Sequence, residues 1–134
     1  MIYTNSDGGA RGNPGPGAIG VLVRDENRIL LMDSMKIGNY ITNNVAEYEA
    51  LIRALQLASR YTQNEITCYL DSELVVKQLL GEYRVKHPDL KKLFLRVQKL
   101  QENFKSIKYI HVPRENKYQK IVDELLNKEL DKGY

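Results

Sequence analysis

Residues 5–24 read NSDGGARGNPGPGAIGVLVR, and two incompatible architectures hang on them. The first thirteen positions hold five glycines and two prolines around one acid, Asp7. A loop that cradles nucleotide phosphates carries GxxxxGK[ST] or GxGxxG between a strand and a helix. Here Gly12, Gly15, Gly17 and Gly20 lack the lysine-hydroxyl ending, and AIGVLVR, residues 18–24, reads as a strand rather than a helix. The stretch is therefore expected to be a compact connection between two strands, with Asp7 at its mouth.

Working outward, RILLMDSMKI (28–37) follows GAIGVLVR (17–24) across the polar turn DENR, which predicts a hairpin. With MIYTNS in front, the first third of the chain reads as a three-stranded antiparallel meander. From Asn44 the period becomes helical, with Tyr48, Leu51, Ile52, Leu55 and Ala58 on one face. EITCYLD (65–71) reads as a strand, and SELVVKQLLG as a helix that opens at Ser72 and stops at Gly81. Pro88 suits the first turn of a further helix striped by Leu90, Leu93, Val97, Leu100 and Phe104. IKYIHV (107–112) is a strand, and Tyr118, Ile121, Val122, Leu125, Leu126 and Leu130 mark a last helix. The order βββαβααβα predicts an α/β fold: a mixed sheet of five strands, three antiparallel and two parallel, flanked by helices.

The 134 residues, 43% of them hydrophobic, match one domain spanning 1–134. No apolar run reaches the roughly 18 residues that cross a bilayer, and no signal-peptide pattern opens the chain. A soluble, cytoplasmic protein without a membrane partner is expected. The lone Cys68, inside ITCYL, is expected in the core. Net charge is +3, with six basic and six acidic side chains in residues 1–64, so the excess lies further on. Between 83 and 105, Arg84, Lys86, Lys91, Lys92, Arg96, Lys99 and Lys105 face only Asp89 and Glu102. That face is either simply solvated or meets a polyanion.

In sheets of this kind, sites form where strands end and helices begin. Asp7 follows the first strand, Asp71 ends the fourth, and Glu47 lies in the first turn of the first helix. On a wheel of about 100° per residue, Asp123 falls roughly 120° from the centre of its helix's apolar stripe, whereas Lys120 falls nearly opposite that centre. Each acid also fits a local duty. Asp7 can cap a turn, Asp71 a helix, Asn44 and Glu47 have the spacing of a capping box, and Asp123 can be helix surface. Together, four acids at one sheet edge repel unless cations hold them.

DGGARGNPGPGAIG, TNNVAEYEAL, YLDSELVV, VPREN and VDELLNKELD, in this order, resemble ribonuclease H of type 1 nearly end to end. The resemblance implies the sheet described above and hydrolysis of the RNA strand of RNA–DNA hybrids, with double-stranded RNA as a further substrate class. It also implies 5′-phosphate and 3′-hydroxyl products. By motif, Asp7, Glu47, Asp71 and Asp123 resemble the family's four metal-binding, catalytic carboxylates. Asn13 and either Asn43 or Asn44 resemble contacts to the hybrid's backbone and 2′-hydroxyls, and Thr42 a phosphate contact on the DNA strand. Gly8, Gly12, Ser72, Lys92, Arg96 and Arg114 join them as expected substrate-binding positions. No obligate protein partner is implied.

The residue chemistry agrees. Mg²⁺, or Mn²⁺ in its place, prefers carboxylate oxygen and keeps waters, so acids without His or Cys ligands suit it. Two such ions about 3.5 to 4 Å apart can activate a water and stabilise the leaving oxygen, without a side-chain nucleophile. The chain departs from the family's familiar pattern in four places. An ungapped register puts Lys120 at the fourth acid, and a lysine cannot ligate Mg²⁺; the helix wheel and the downstream motif favour Asp123. Arg114 stands near the family's mobile histidine, while His111 reads as a sheet residue and His87 as a helix start. No tryptophan-bearing basic protrusion exists, since the chain has no Trp. The residues TNS before Asp7 leave the register of the first strand open by two.

Overall fold

A computed structural model describes residues 1–132. Its elements are β1 (Ile2–Ala10), β2 (Gly15–Arg24), β3 (Ile29–Ile41), α1 (Asn43–Ala58), β4 (Glu65–Leu70), α2 (Glu73–Leu79), α3 (Pro88–Gln101), β5 (Ser106–His111) and α4 (Lys117–Asp131). The five strands lie in the order β3-β2-β1-β4-β5. β1, β2 and β3 run antiparallel, and β4 and β5 join parallel to β1 and to each other. The expected mixed sheet is the observed one, and no helix among the described residues is long and apolar enough to cross a membrane.

Alternation along β2 sorts the helices onto two faces. Val21 and Val23 pack with Ala54 and Leu57 of α1, whereas Gly20 lies under Val122 and Leu125 of α4. Successive strand residues point to opposite faces, so α1 and α4 sandwich the sheet. The larger core lies on the α1 side, where Tyr48, Leu51 and Leu55 meet Ile66, Cys68 and Leu70 of β4, Val75 of α2, and Leu90 and Val97 of α3. Cys68 is fully buried there, as its apolar neighbours predict.

Two local expectations are corrected. Asp7 does not follow the first strand: β1 continues through it to Ala10, pairing Asp7 with Gly20 and Ala10 with Gly17. The glycines at 8 and 9 are strand residues, and the connection shrinks to residues 11–14, where Gly12 takes a left-handed φ of 90°. Gly8 is required by proximity rather than by a turn, because a Cβ there would collide with the Ala46 carbonyl of α1. The second correction concerns α1. Its N-cap is Thr42, whose hydroxyl accepts from the Val45 N–H, so the Asn44–Glu47 capping box does not form and Glu47 falls in the second turn. Glu47 is thereby released from capping.

Candidate metal and nucleic-acid site

The parallel pairing of β1 with β4 ends at Ser6 opposite Leu70. The residue after each of these is an acid, Asp7 within β1 and Asp71 one position past the end of β4, so the two stand side by side where the β1–β4 ladder stops. Asp71 does not cap α2; the Ser72 hydroxyl does, accepting from the Val75 N–H at 3.3 Å. Glu47 reaches the same place from α1, where its Oε1 accepts from the Gly8 N–H at 2.9 Å. Carboxylate oxygens of Asp7, Glu47 and Asp71 all lie within 4.8 Å of one another.

Asp123 stands outside that tight trio but lines the same cavity of about 380 Å³ from the α4 side. Its Oδ1 accepts from Asn127 Nδ2 at 3.2 Å, one turn further along the helix, and the same amide also donates to the Asp123 carbonyl at 2.9 Å. Lys120 is exposed and does not line the cavity. Asn127 was not singled out in the sequence; an amide one turn after an acid was its only signal.

Burial, with the neighbouring acids adding to it, raises the affinity of Asp7, Glu47 and Asp71 for protons. Burial pushes Asp7 up to about 11, reinforced by the Glu47 charge and by a hydrogen bond with that carboxyl. Burial likewise pushes Glu47 up to about 7, opposed by its hydrogen bonds with Asp7 and Gly8. Asp71 is raised by burial, while a hydrogen bond with Asp7 and the Arg114 charge pull it back. A buried Glu47 Oε2 has no hydrogen-bond partner. An all-oxygen donor set, an unpartnered buried carboxylate oxygen and mutual repulsion together fit a hard divalent cation, which would replace the protons that otherwise quiet the cluster.

The expected substrate positions divide into three groups. Gly8, Asn43, Asn44, Ser72 and Arg114 line the acid cavity. Thr42, Lys92 and Arg96 line a neighbouring groove of about 500 Å³ with Pro14, Tyr40 and Asp89. Gly12 and Asn13 line neither, and lie on the exposed connection between β1 and β2. Asn13 has a structural task, since its Oδ1 accepts from the Asn43 N–H at 3.0 Å, and the Asn43 Oδ1 accepts from the Ala10 N–H at 2.9 Å. These two amides lash the connection to the first turn of α1. Arg96 is engaged too, pairing with Glu49 at 3.3 Å, so the basic face of α3 is less free than its composition suggests.

Neither histidine enters the cavity. His87 caps α3, its Nδ1 accepting from the Asp89 N–H, and His111 ends β5 with Nε2 3.2 Å from the Asp71 carbonyl.

A five-stranded mixed sheet with α1 and α4 on opposite faces and acids gathered at one strand junction defines a domain of the ribonuclease H fold. The ribonuclease H1 of Halobacterium salinarum superposes on it with a TM-score of 0.92, at 36% identity over 98% of both chains. The chain belongs to the reverse transcriptase-like family, whose model matches residues 5–127. A second solved neighbour, LC11 ribonuclease H1 in complex with an RNA/DNA hybrid, gives a TM-score of 0.90 at 41% identity and covers 98% of both chains. The bifunctional protein Rv2228c of Mycobacterium tuberculosis is 42% identical over 133 residues, which is 97% of this chain. The chain spans 35% of that relative's own length.

Proposed function

We propose that residues 1–134 act as one endoribonuclease domain that hydrolyses the RNA strand of RNA–DNA hybrids, with double-stranded RNA as a second substrate class. The observation that carries this reading is the acid cavity itself. Three carboxylates with oxygens within 4.8 Å of one another and a fourth on its wall suit divalent cations and little else. The LC11 relative's complex with a hybrid supports the choice of substrate.

Asp7, Glu47, Asp71 and Asp123 would hold two ions, Mg²⁺ or Mn²⁺, during turnover. Such ions lower the pKa of a bound water and stabilise the leaving 3′-oxygen, giving 5′-phosphate and 3′-hydroxyl ends. The remaining work falls to the chain. Gly8 N–H holds Glu47 in one orientation, and Asn127 does the same for Asp123. Arg114, beside Asp71, supplies a positive charge at the cavity wall. Asn43 and Asn44 offer amides at the cavity, where contacts to 2′-hydroxyls across a shallow minor groove would distinguish RNA from DNA. Thr42, Lys92 and Arg96 take backbone phosphates in the adjoining groove. A cytoplasmic setting and no obligate protein partner complete the reading.

The test is direct. A labelled hybrid is incubated with the protein and Mg²⁺ or Mn²⁺, beside an EDTA control and an Asp7→Asn control. Metal-dependent cleavage of the RNA strand alone is expected. Hybrid binding without cleavage would replace the enzyme by a duplex-binding module on the same fold.

A further inference from the structure

On the face of β1 that looks toward α4, three side chains follow at alternate positions: Tyr3, Asn5 and Asp7. Along α4 they meet a matching row. The Arg24 guanidinium lies 4.5 Å from the Tyr3 ring and 4.1 Å from the Tyr118 ring, and so links the first pair. Asn5 Nδ2 donates to Gln119 Oε1 at 3.1 Å. Asp7 and Asp123 close the row at the acid cavity.

The middle rung is made of two amides in the interior. Gln119 is fully buried and Asn5 is 1% exposed. Gln119 Nε2 donates to the Ser6 carbonyl at 2.8 Å, so this one side chain grips both residues that precede Asp7. Gln119 also lies four residues before Asp123, one helical turn away on the same face. The pair is poor as a stabilising device, because Asn5 Oδ1 is buried without a hydrogen-bond partner. Apolar side chains of similar shape would avoid that cost, and replacing both members of a buried polar pair is often neutral or stabilising. What an apolar pair cannot do is fix the rotation and height of α4 through directional bonds.

We propose that Gln119 and Asn5 form a positioning clamp that sets Asp123 relative to Asp7, serving the geometry of the cation site rather than the stability of the fold. Gln119 touches neither substrate nor metal; it acts through Asp123. The inference rests on the cation-dependent reading above, and its readouts keep the two separable.

Two variants test it: Gln119→Met, which keeps the length and removes both amide bonds, and the double variant Asn5→Leu with Gln119→Met. Thermal melts in EDTA are expected to give the double variant a Tm equal to or above the parent's. With hybrid substrate, kcat is expected to fall about 10- to 100-fold, the range seen when groups supporting metal ligands are removed, while KM stays within about twofold. The Mg²⁺ concentration giving half-maximal rate should rise, and the Tm gain on adding Mn²⁺ should shrink. A double variant that turns over at the parental rate overturns the clamp, and so does one that unfolds, since the amides would then serve stability. If the parent itself cleaves nothing, the functional reading fails, and the Mn²⁺-induced Tm gain alone decides the clamp.

Discussion

The backbone N–H of Gly8 donates to Oε1 of Glu47 at 2.9 Å, across a junction where α1 comes so near β1 that only hydrogen fits on the Gly8 Cα. Gly8→Ala drives a methyl group into the Ala46 carbonyl. Overpacking of this kind costs about 1–3 kcal/mol. Urea denaturation should show the loss, and the cleavage rate should fall with it because Glu47 moves with the helix. Equal stability and equal activity in Gly8→Ala would mean that α1 retreats freely.

Asp7 and Glu47 make the metal-free protein sensitive to pH in an unusual direction. Their folded-state values, about 11 and about 7, lie above those of the unfolded chain near 4. In that window the folded state holds more protons, so stability is greatest at low pH and falls as pH rises from about 4 toward neutrality. Melting temperature in EDTA is expected to drop between pH 5 and pH 8. Asp7→Asn should flatten that decline and raise the Tm at pH 8 while abolishing cleavage. Saturating Mg²⁺ should flatten it in the parent, since cation then replaces proton.

Asp123 and Lys120 offer a clean comparison on one helix. Asp123→Asn is expected to cut the rate by at least about 10- to 100-fold, the loss that removing a mere supporter of a metal ligand already brings. Lys120→Ala, at an exposed position, should leave the rate within about twofold. Full activity in Asp123→Asn would move the fourth ligand elsewhere.

Lys92 and Arg96 share a groove, but Arg96 is already paired with Glu49. Hybrid binding measured from 50 to 300 mM salt should lose about one unit of log–log slope in Lys92→Ala if it makes one phosphate contact. Arg96→Ala should change the slope less. An unchanged slope in the double variant would return this face of α3 to solvent.

The distribution of what the sequence revealed follows from physics. Hydrophobic period located α1, α3 and α4, because a buried face leaves a repeat that single residues cannot disguise, while β-rich runs, turns and the Ser72 and Gly81 stops marked the other elements among the described residues. Asp71 was legible as an acid at the end of a strand, and the wheel angle of Asp123 agrees with its place on the cavity wall, but Asp7 read as following a strand that in fact continues through it to Ala10. The extension of β1 through Gly8 and Gly9 was not legible. Glycine at position 8 signals a close approach by α1, and the approaching atoms lie far away in sequence. Thr42 took the cap from Asn44 because both have the chemistry and only backbone geometry chooses. Gln119 was invisible for a related reason: a lone glutamine in an amphipathic helix looks like surface until its partner, Asn5, is known.

The order in which the acids occur along the chain has a consequence for the protein's birth. Three of them belong to its first 71 residues, while Asp123 and Gln119 belong to the last helix. Synthesis proceeds from the N-terminus, and α4 can reach β1 only once it has left the ribosome. On the functional reading proposed above, a chain interrupted before α4 holds three of the four acids and lacks the wall of the cavity that α4 supplies, so it carries no complete cutting centre.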